Sequence, residues 1–321
     1  MVARTRYAPD RGLTVRMGLT MFLLGLVFVA FVAAIIGISV VLKASDGAII
    51  FFAVVLGGGL AIGSLFYSDK IALSTAGAQL VTPQQAPQLH GIVDRVCALA
   101  DMPKPRVAIS PTDLPNAFAT GRNTKNSVLC VTDGLQRRLT PEELEGVIAH
   151  ELSHVAHKDV MVMTVASFLA IIAGLMIRFA FYGELFGGGG RRGGNNSNGN
   201  QGALPILLII MGVSIVVYAI SFLLIRLLSR YRELAADRSG ALLTGQPSAL
   251  ASALQKVSGS IARIPTKDLR AAEPLNAFFF VPALSPQRQA QSVLSNLLST
   301  HPPLEKRLAQ LAKISQQLGQ R

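Results

Sequence analysis

The sequence predicts an integral membrane protein, mainly α-helical, with four transmembrane helices and a small α+β domain of polar sequence on the cytoplasmic side. Three observations carry this. Half of the 321 residues are apolar and only 15% are charged, well under the roughly 25% of soluble domains. The mean hydropathy is +0.45. Long uncharged runs alternate with polar stretches that hold the Lys, Arg, Asp and Glu. This hydrophobicity excludes a disordered chain. The net charge of +12 would suggest a polyanion partner in a soluble protein; here it reads as a topological signal. Cys97 and Cys130 cannot build a disulfide framework, which fits a reducing compartment.

Residues 1–16 form a basic cytoplasmic arm with Arg4, Arg6, Arg11 and Arg16. Residues 17–42 carry no charge. At about 1.5 Å per residue they exceed a hydrocarbon core of about 30 Å, and they are too long for a cleaved signal peptide. Residues 48–67 are a second uncharged run, so 17–67 reads as a transmembrane hairpin. Gly59 and Gly63 there have GxxxG spacing, which either lets two helices approach closely or is incidental small-residue packing. Residues 160–177, closed by Arg178, and 203–225, closed by Arg226, form a second pair spanning 160–225. The Gly/Asn-rich stretch 186–202 between them lacks hydrophobic periodicity and reads as a flexible external loop. Four crossings put both termini and the polar stretch 68–159 on one side. That side includes the arm and a tail, 226–321, with thirteen Lys or Arg; the first external turn holds only Lys43. The positive-inside rule then makes it the cytoplasmic side of the cell (inner) membrane.

In residues 68–159, Leu89, Ile92, Val93, Val96 and Leu99 recur at helical spacing after Pro83. Two β-rich runs, 105–110 and 127–132, flank the segment from Asn116 to Gly121. Thr140, Pro141 and Glu143 then spell a capping box with proline at the first helical position. That helix runs into His150-Glu-Leu-Ser-His154. Two imidazoles four residues apart share a helix face and can bind one tetrahedral zinc ion, giving one Zn2+ per chain. Glu151, one position round, can take a proton from water attacking a carbonyl. The domain is therefore expected to be zincin-like and catalytic. Glu233, after the fourth run, is the candidate third ligand. Asp237, one turn on, could accept the second ring N–H of a ligating His; the competing reading is a basic helix with compensating i,i+4 charges. His157 reads as a helix-surface residue, because a third ligand from the same turn would strain the geometry.

His150-Glu-Leu-Ser-His154 with Asp159 five residues on, together with Ser229-Arg-Tyr-Arg-Glu233-Leu-Ala-Ala-Asp237, resembles the HtpX family of membrane zinc endopeptidases, relatives of the eukaryotic CAAX prenyl protease. Asn116-Ala-Phe-Ala-Thr-Gly-Arg122 and Ser299-Thr-His301-Pro-Pro-Leu-Glu-Lys-Arg307 complete the ordered set. The resemblance implies His150, His154 and Glu233 as zinc ligands, Glu151 as general base and Asp237 as support for a ligand. It also implies a substrate-facing edge strand at Asn116, Ala117, Phe118 and Ala119, which a peptide could join by main-chain hydrogen bonds. His301 would donate to the oxyanion, with Arg307 packing or orienting nearby.

The expected activity is cytoplasmic-side endoproteolysis of misfolded or damaged membrane proteins, a quality-control role linked to stress. Two other readings share these motifs: a non-catalytic zinc-binding scaffold, and a protease for one specific membrane substrate. Expected partners are membrane-protein or unfolded polypeptide substrates and anionic lipid. No basic run with interleaved aromatics suggests nucleic acid.

Overall fold

In a computed structural model of the chain, residues 11–41, 47–187, 203–263 and 300–319 are described. The expected loop 186–202 lies outside them from residue 188, as does the arm 1–16 up to residue 10. Contacts divide the chain into two units: Met1–Met17, Leu65–Val162 and Leu228–Arg321; and Gly18–Ser64 and Met163–Leu227.

Four long helices carry the uncharged runs: α1 Arg11–Val41, α2 Gly47–Thr75, α6 Asp159–Gly187 and α7 Ala203–Thr244. Among the described residues three segments are long and apolar enough to cross a membrane: Arg11–Gly37, Asp159–Phe179 and Leu208–Thr244. The run expected at 48–67 lies within α2, part of it outside the residues whose side chains are described. The second unit has its own core, in which Phe31 and Ile35 of α1 meet Ile172 and Met176 of α6 and Ile210 and Val217 of α7. Other apolar side chains of these helices point outward, Phe22 at 67% and Val29 at 64% exposed; that suits a hydrocarbon solvent, where apolar surface needs no burial. Close approach in α2 falls on Gly57, whose added Cβ would stand 3.1 Å from Ile172 Cγ1. At Gly59 and Gly63 it would meet nothing within 4 Å, so among the described residues no helix packs on their GxxxG face.

The first unit is built on a four-stranded sheet: β1 Gln79–Leu80, β2 Arg106–Ser110, β3 Ala117–Asn123 and β4 Asn126–Thr132. Their order is β1-β2-β4-β3, with β2 and β4 parallel and the other neighbours antiparallel. β4 reads as a continuous apolar run because both of its faces are covered. Leu129 and Val131 join the large core with α3 Pro87–Ala100, α5 Pro141–Ala156, α8 Pro247–Arg263 and α9 Leu304–Gly319. Val128 and Cys130 pack beside Phe118 and Ala72 on the other face. A short helix, α4 Asp133–Arg138, follows β4 directly and is capped by Thr132, whose hydroxyl accepts from Leu135 N. α8 has an apolar stripe of Leu250, Leu254, Val257 and Ile261 behind Pro247. Cys97 in α3 and Cys130 in β4 are both buried, and burial pushes their thiols up to about 11 and about 12.

Candidate metal centre

The metal-motif helix α5 starts as its sequence requires. The Thr140 hydroxyl accepts from Glu143 N at 3.4 Å, and the Glu143 carboxylate accepts from Thr140 N at 2.9 Å. Glu143 also accepts from Ser252 Oγ at 2.6 Å and pairs with Lys256 Nζ at 2.7 Å. The helix start is thereby fastened to α8, and these partners hold the Glu143 carboxyl below its usual range despite burial. After the sixteen residues of α5 the backbone turns sharply. His157 is the C-cap, Lys158 has φ +57°, and α6 begins at Asp159.

His150, His154 and Glu233 converge, each offering one ligand atom, and these atoms lie within 4.8 Å of one another. The two Nε2 atoms are 3.2 Å apart, with Glu233 Oε2 3.7 Å from His150 Nε2 and Glu233 Oε1 3.5 Å from His154 Nε2. Donors about 2.0–2.1 Å from a tetrahedral centre stand about 3.3–3.4 Å apart, so this triangle has the dimensions of three ligands around one ion. The remote nitrogens explain the ring orientation. His150 Nδ1 is 2.9 Å from Asp237 Oδ1, and His154 Nδ1 is 2.5 Å from Asp159 Oδ2. A carboxylate only accepts, so each ring carries its proton on Nδ1 and turns the Nε2 lone pair toward the other. Two lone pairs facing across 3.2 Å call for a cation between them, a metal ion or, in its place, a proton on His154. The chemistry of the donor set therefore fits zinc.

The electrostatics agree. Burial lowers the pKa of His150 and keeps its ring neutral. Burial would lower His154 too, but the Asp159 carboxylate outweighs it and lifts the ring to about 9. Burial also raises the Glu151 carboxyl to about 8. Glu151 Oε2 accepts from Ala119 N at 3.2 Å, which joins the metal helix to β3.

The strand register sharpens the edge. Ala117 pairs with Val131, Phe118 with Cys130 and Ala119 with Leu129. Thr132 N donates to Asn116 O at 3.0 Å. Hydrogen-bonded pairs alternate in an antiparallel ladder, so the main chain of Asn116 and Phe118 serves β4. Ala117 and Ala119 turn their amides and carbonyls outward, and the Ala119 amide is the one that Glu151 holds. Of the four positions expected to face a substrate, only these two can offer main-chain groups; the Phe118 side chain is buried with Ala72 and Cys130.

His301, at 7% exposure, places Nδ1 3.1 Å from Glu233 Oε2, beside the expected metal position. Arg307 is fully buried and donates Nε and Nη2 to the two oxygens of Asp237, both at 2.7 Å. His157 lies outside the ligand triangle. Asp159 has no role of its own in the sequence pattern beyond its place five residues after His154. Its contact with His154 depends on the Lys158 turn, which folds the start of α6 back onto the end of α5. The residue spacing alone carries no signal for this.

The profile of Peptidase family M48 matches residues 83–315. Protease HtpX homolog 1 of Streptomyces coelicolor is 57% identical over 317 residues, covering 99% of this chain and 97% of that protein. The protease HtpX homolog of Moorella thermoacetica is 48% identical over 321 residues, covering 99% of both. Among solved structures, S. mikatae Ste24p aligns with a TM-score of 0.50 at 15% identity, over 94% of this chain and 66% of that one. At that identity the likeness is one of fold.

Proposed function

The chain belongs to peptidase family M48, and from that premise we propose a membrane-bound zinc endopeptidase whose site, on the cytoplasmic side, cleaves misfolded or damaged membrane proteins. That the chain is a metalloprotease goes with the family, and that it lives in a membrane goes with its apolar helices. The observation that carries the chemistry is the triangle of His150 Nε2, His154 Nε2 and a Glu233 oxygen, with the Glu151 carboxylate one helix position away.

In this reading His150, His154 and Glu233 hold one zinc ion per chain. When bound, zinc supplies a Lewis acid that acidifies water toward a pKa of about 7 and polarises a carbonyl. Glu151 acts as general base. It takes the proton of the attacking water and then hands it to the departing amine, a task suited to a carboxyl that burial lifts toward neutrality. Asp237 and Asp159 hold the Nδ1 protons of the two imidazoles, so that both rings keep one tautomer through the reaction. His301 donates to the carbonyl oxygen as it gains charge. A substrate strand docks along β3 on the outward amide and carbonyl of Ala117 and the outward carbonyl of Ala119, which select an extended backbone over any particular side chain.

Position along the chain supports the substrate class. Only residues 155–159 separate the metal motif from the third apolar run, and Glu233 follows the fourth by eight residues. The basic arm and tail support the sidedness and contact with anionic lipid. The test uses the full chain in detergent, unaltered and as Glu151→Gln, with zinc content and cleavage of an unfolded polypeptide and a membrane protein as readouts. Both proteins are expected to hold one zinc, and cleavage is expected to fall by about 100-fold or more in the variant. Retained cleavage by Glu151→Gln, free of host proteases, would sink the mechanism. Zinc without cleavage by either protein would make the chain a scaffold.

A further inference from the structure

We infer that Arg232 is a positioning residue for the metal centre, holding the Asp159 carboxylate on the Nδ1 proton of His154 and so aiming His154 Nε2 at the ion. The inference rests on the ligand reading above. Its starting point is a symmetry in the site. Behind His150 stands Asp237, and behind Asp237 stands Arg307. Behind His154 stands Asp159, and behind Asp159 stands Arg232, whose Nη2 pairs with the same Oδ2 that faces the ring. Each imidazole is thus backed by a carboxylate and each carboxylate by a guanidinium.

The second relay needs its arginine for a local reason. Asp159 is the first residue of α6, and a carboxylate there is drawn to the first-turn amides and positive end of its own helix. Turning that way would release the His154 Nδ1 proton and with it the ring orientation. Arg232 removes that alternative by holding Oδ2 on the His154 side. Burial argues the same way. Arg232 is 8% and Asp159 3% exposed, and desolvating an ion pair this far costs more than a surface pair returns. The cost is understandable where the pair fixes a ligand. Arg232 also directly precedes Glu233, so one turn of α7 supplies both a ligand and the brace for another.

The test measures zinc affinity of the full-length detergent-solubilised protein by competition with a chromophoric chelator, and the visible spectrum of its cobalt-substituted form. Arg232→Met is expected to weaken zinc by about 10- to 100-fold and to shift the cobalt bands. Arg232→Lys, which keeps the charge without the fork, should recover part of that loss. The Arg232→Met, Asp159→Asn double variant should bind no more weakly than Asp159→Asn alone, because the arginine acts through the aspartate. Arg232→Met with zinc affinity within twofold of the unaltered chain and an unchanged cobalt spectrum overturns the inference. So does additive loss in the double variant, or a loss that lysine does not ease at all. Failure of the unaltered chain to bind zinc overturns the metal site itself, whereas binding that ignores Arg232 overturns this inference alone.

Discussion

Gly240 gives the sharpest test of how the site is assembled. It lies on α7, seven residues after Glu233 and three after Asp237. A Cβ placed there would stand 2.9 Å from His150 N, 3.2 Å from Ala149 C and 3.2 Å from His150 Cα. All three are backbone atoms of α5 and cannot swing aside. Relief requires the two helices to part by about half an ångström. That displacement would stretch His150 Nδ1 to Asp237 Oδ1 from 2.9 Å to about 3.4 Å, where most of a hydrogen bond's strength is gone. It would also widen the 3.7 Å gap between His150 and Glu233. Gly240→Ala gains about 1 kcal/mol of helix propensity and loses about 1–3 kcal/mol to overpacking. The expected outcome is a lower melting temperature and zinc affinity reduced at least tenfold. Gly259→Ala in α8 is the control, since its Cβ meets nothing within 4 Å; it should stabilise by about 0.5–1 kcal/mol and leave zinc binding alone. Thermal unfolding and chelator competition on the detergent-solubilised proteins read both. If Gly240→Ala behaves like Gly259→Ala, the α5–α7 contact does not set the ligand geometry and the reasoning fails.

Three further outcomes are expected. Arg307→Met leaves Asp237 buried without its charge partner and should destabilise by about 3–5 kcal/mol; an Arg307→Met, Asp237→Leu double variant melting lower than Arg307→Met alone would contradict this. Zinc uptake near pH 7 should release protons, because the metal-free protein keeps one on His154 up to about pH 9 and one on Glu151 up to about pH 8. The metal displaces the His154 proton, so affinity should rise with pH between 6 and 8 by about tenfold per unit for each proton released; calorimetry in buffers of different ionisation enthalpy that finds no proton release would refute it. Ala117→Pro removes an outward N–H that serves no ladder bond, at the first residue of the edge strand, where proline is tolerated. Cleavage should drop at least tenfold with zinc content unchanged, and full cleavage by that variant would remove β3 from substrate binding.

What the sequence reveals about this site is what is local. The capping box of Thr140 and Glu143 and the i,i+4 pairs His150–His154 and Glu233–Asp237 all sit within one helical turn or so of themselves, so spacing alone places them. The β-rich runs at 105–110 and 127–132 are legible because β2 and β4 are covered on both faces. The order β1-β2-β4-β3 is not, because a parallel β2–β4 pair depends on contacts the local pattern does not encode. β1 and α4, at two and six residues, are too short to show a period. α8 is a different case: Leu250, Leu254 and Val257 after Pro247 form a helical stripe that the local spacing does encode. The Asp159–His154 contact hangs on a single left-handed residue, Lys158. The Arg307–Asp237 pair joins residues seventy apart. For such pairs a sequence can suggest that two charges matter without saying that they meet.

The two cysteines have a practical consequence. Cys97 is 5% and Cys130 0% exposed, and burial holds both as neutral thiols far above physiological pH. Alkylating reagents attack thiolates that they can reach, so the folded chain is close to silent toward them without any cysteine being removed. A single cysteine introduced into a connecting segment or near a terminus becomes the one reactive handle on the molecule. Labelling it in intact cells and in inverted vesicles with a membrane-impermeant maleimide would map which face of the bilayer each segment occupies.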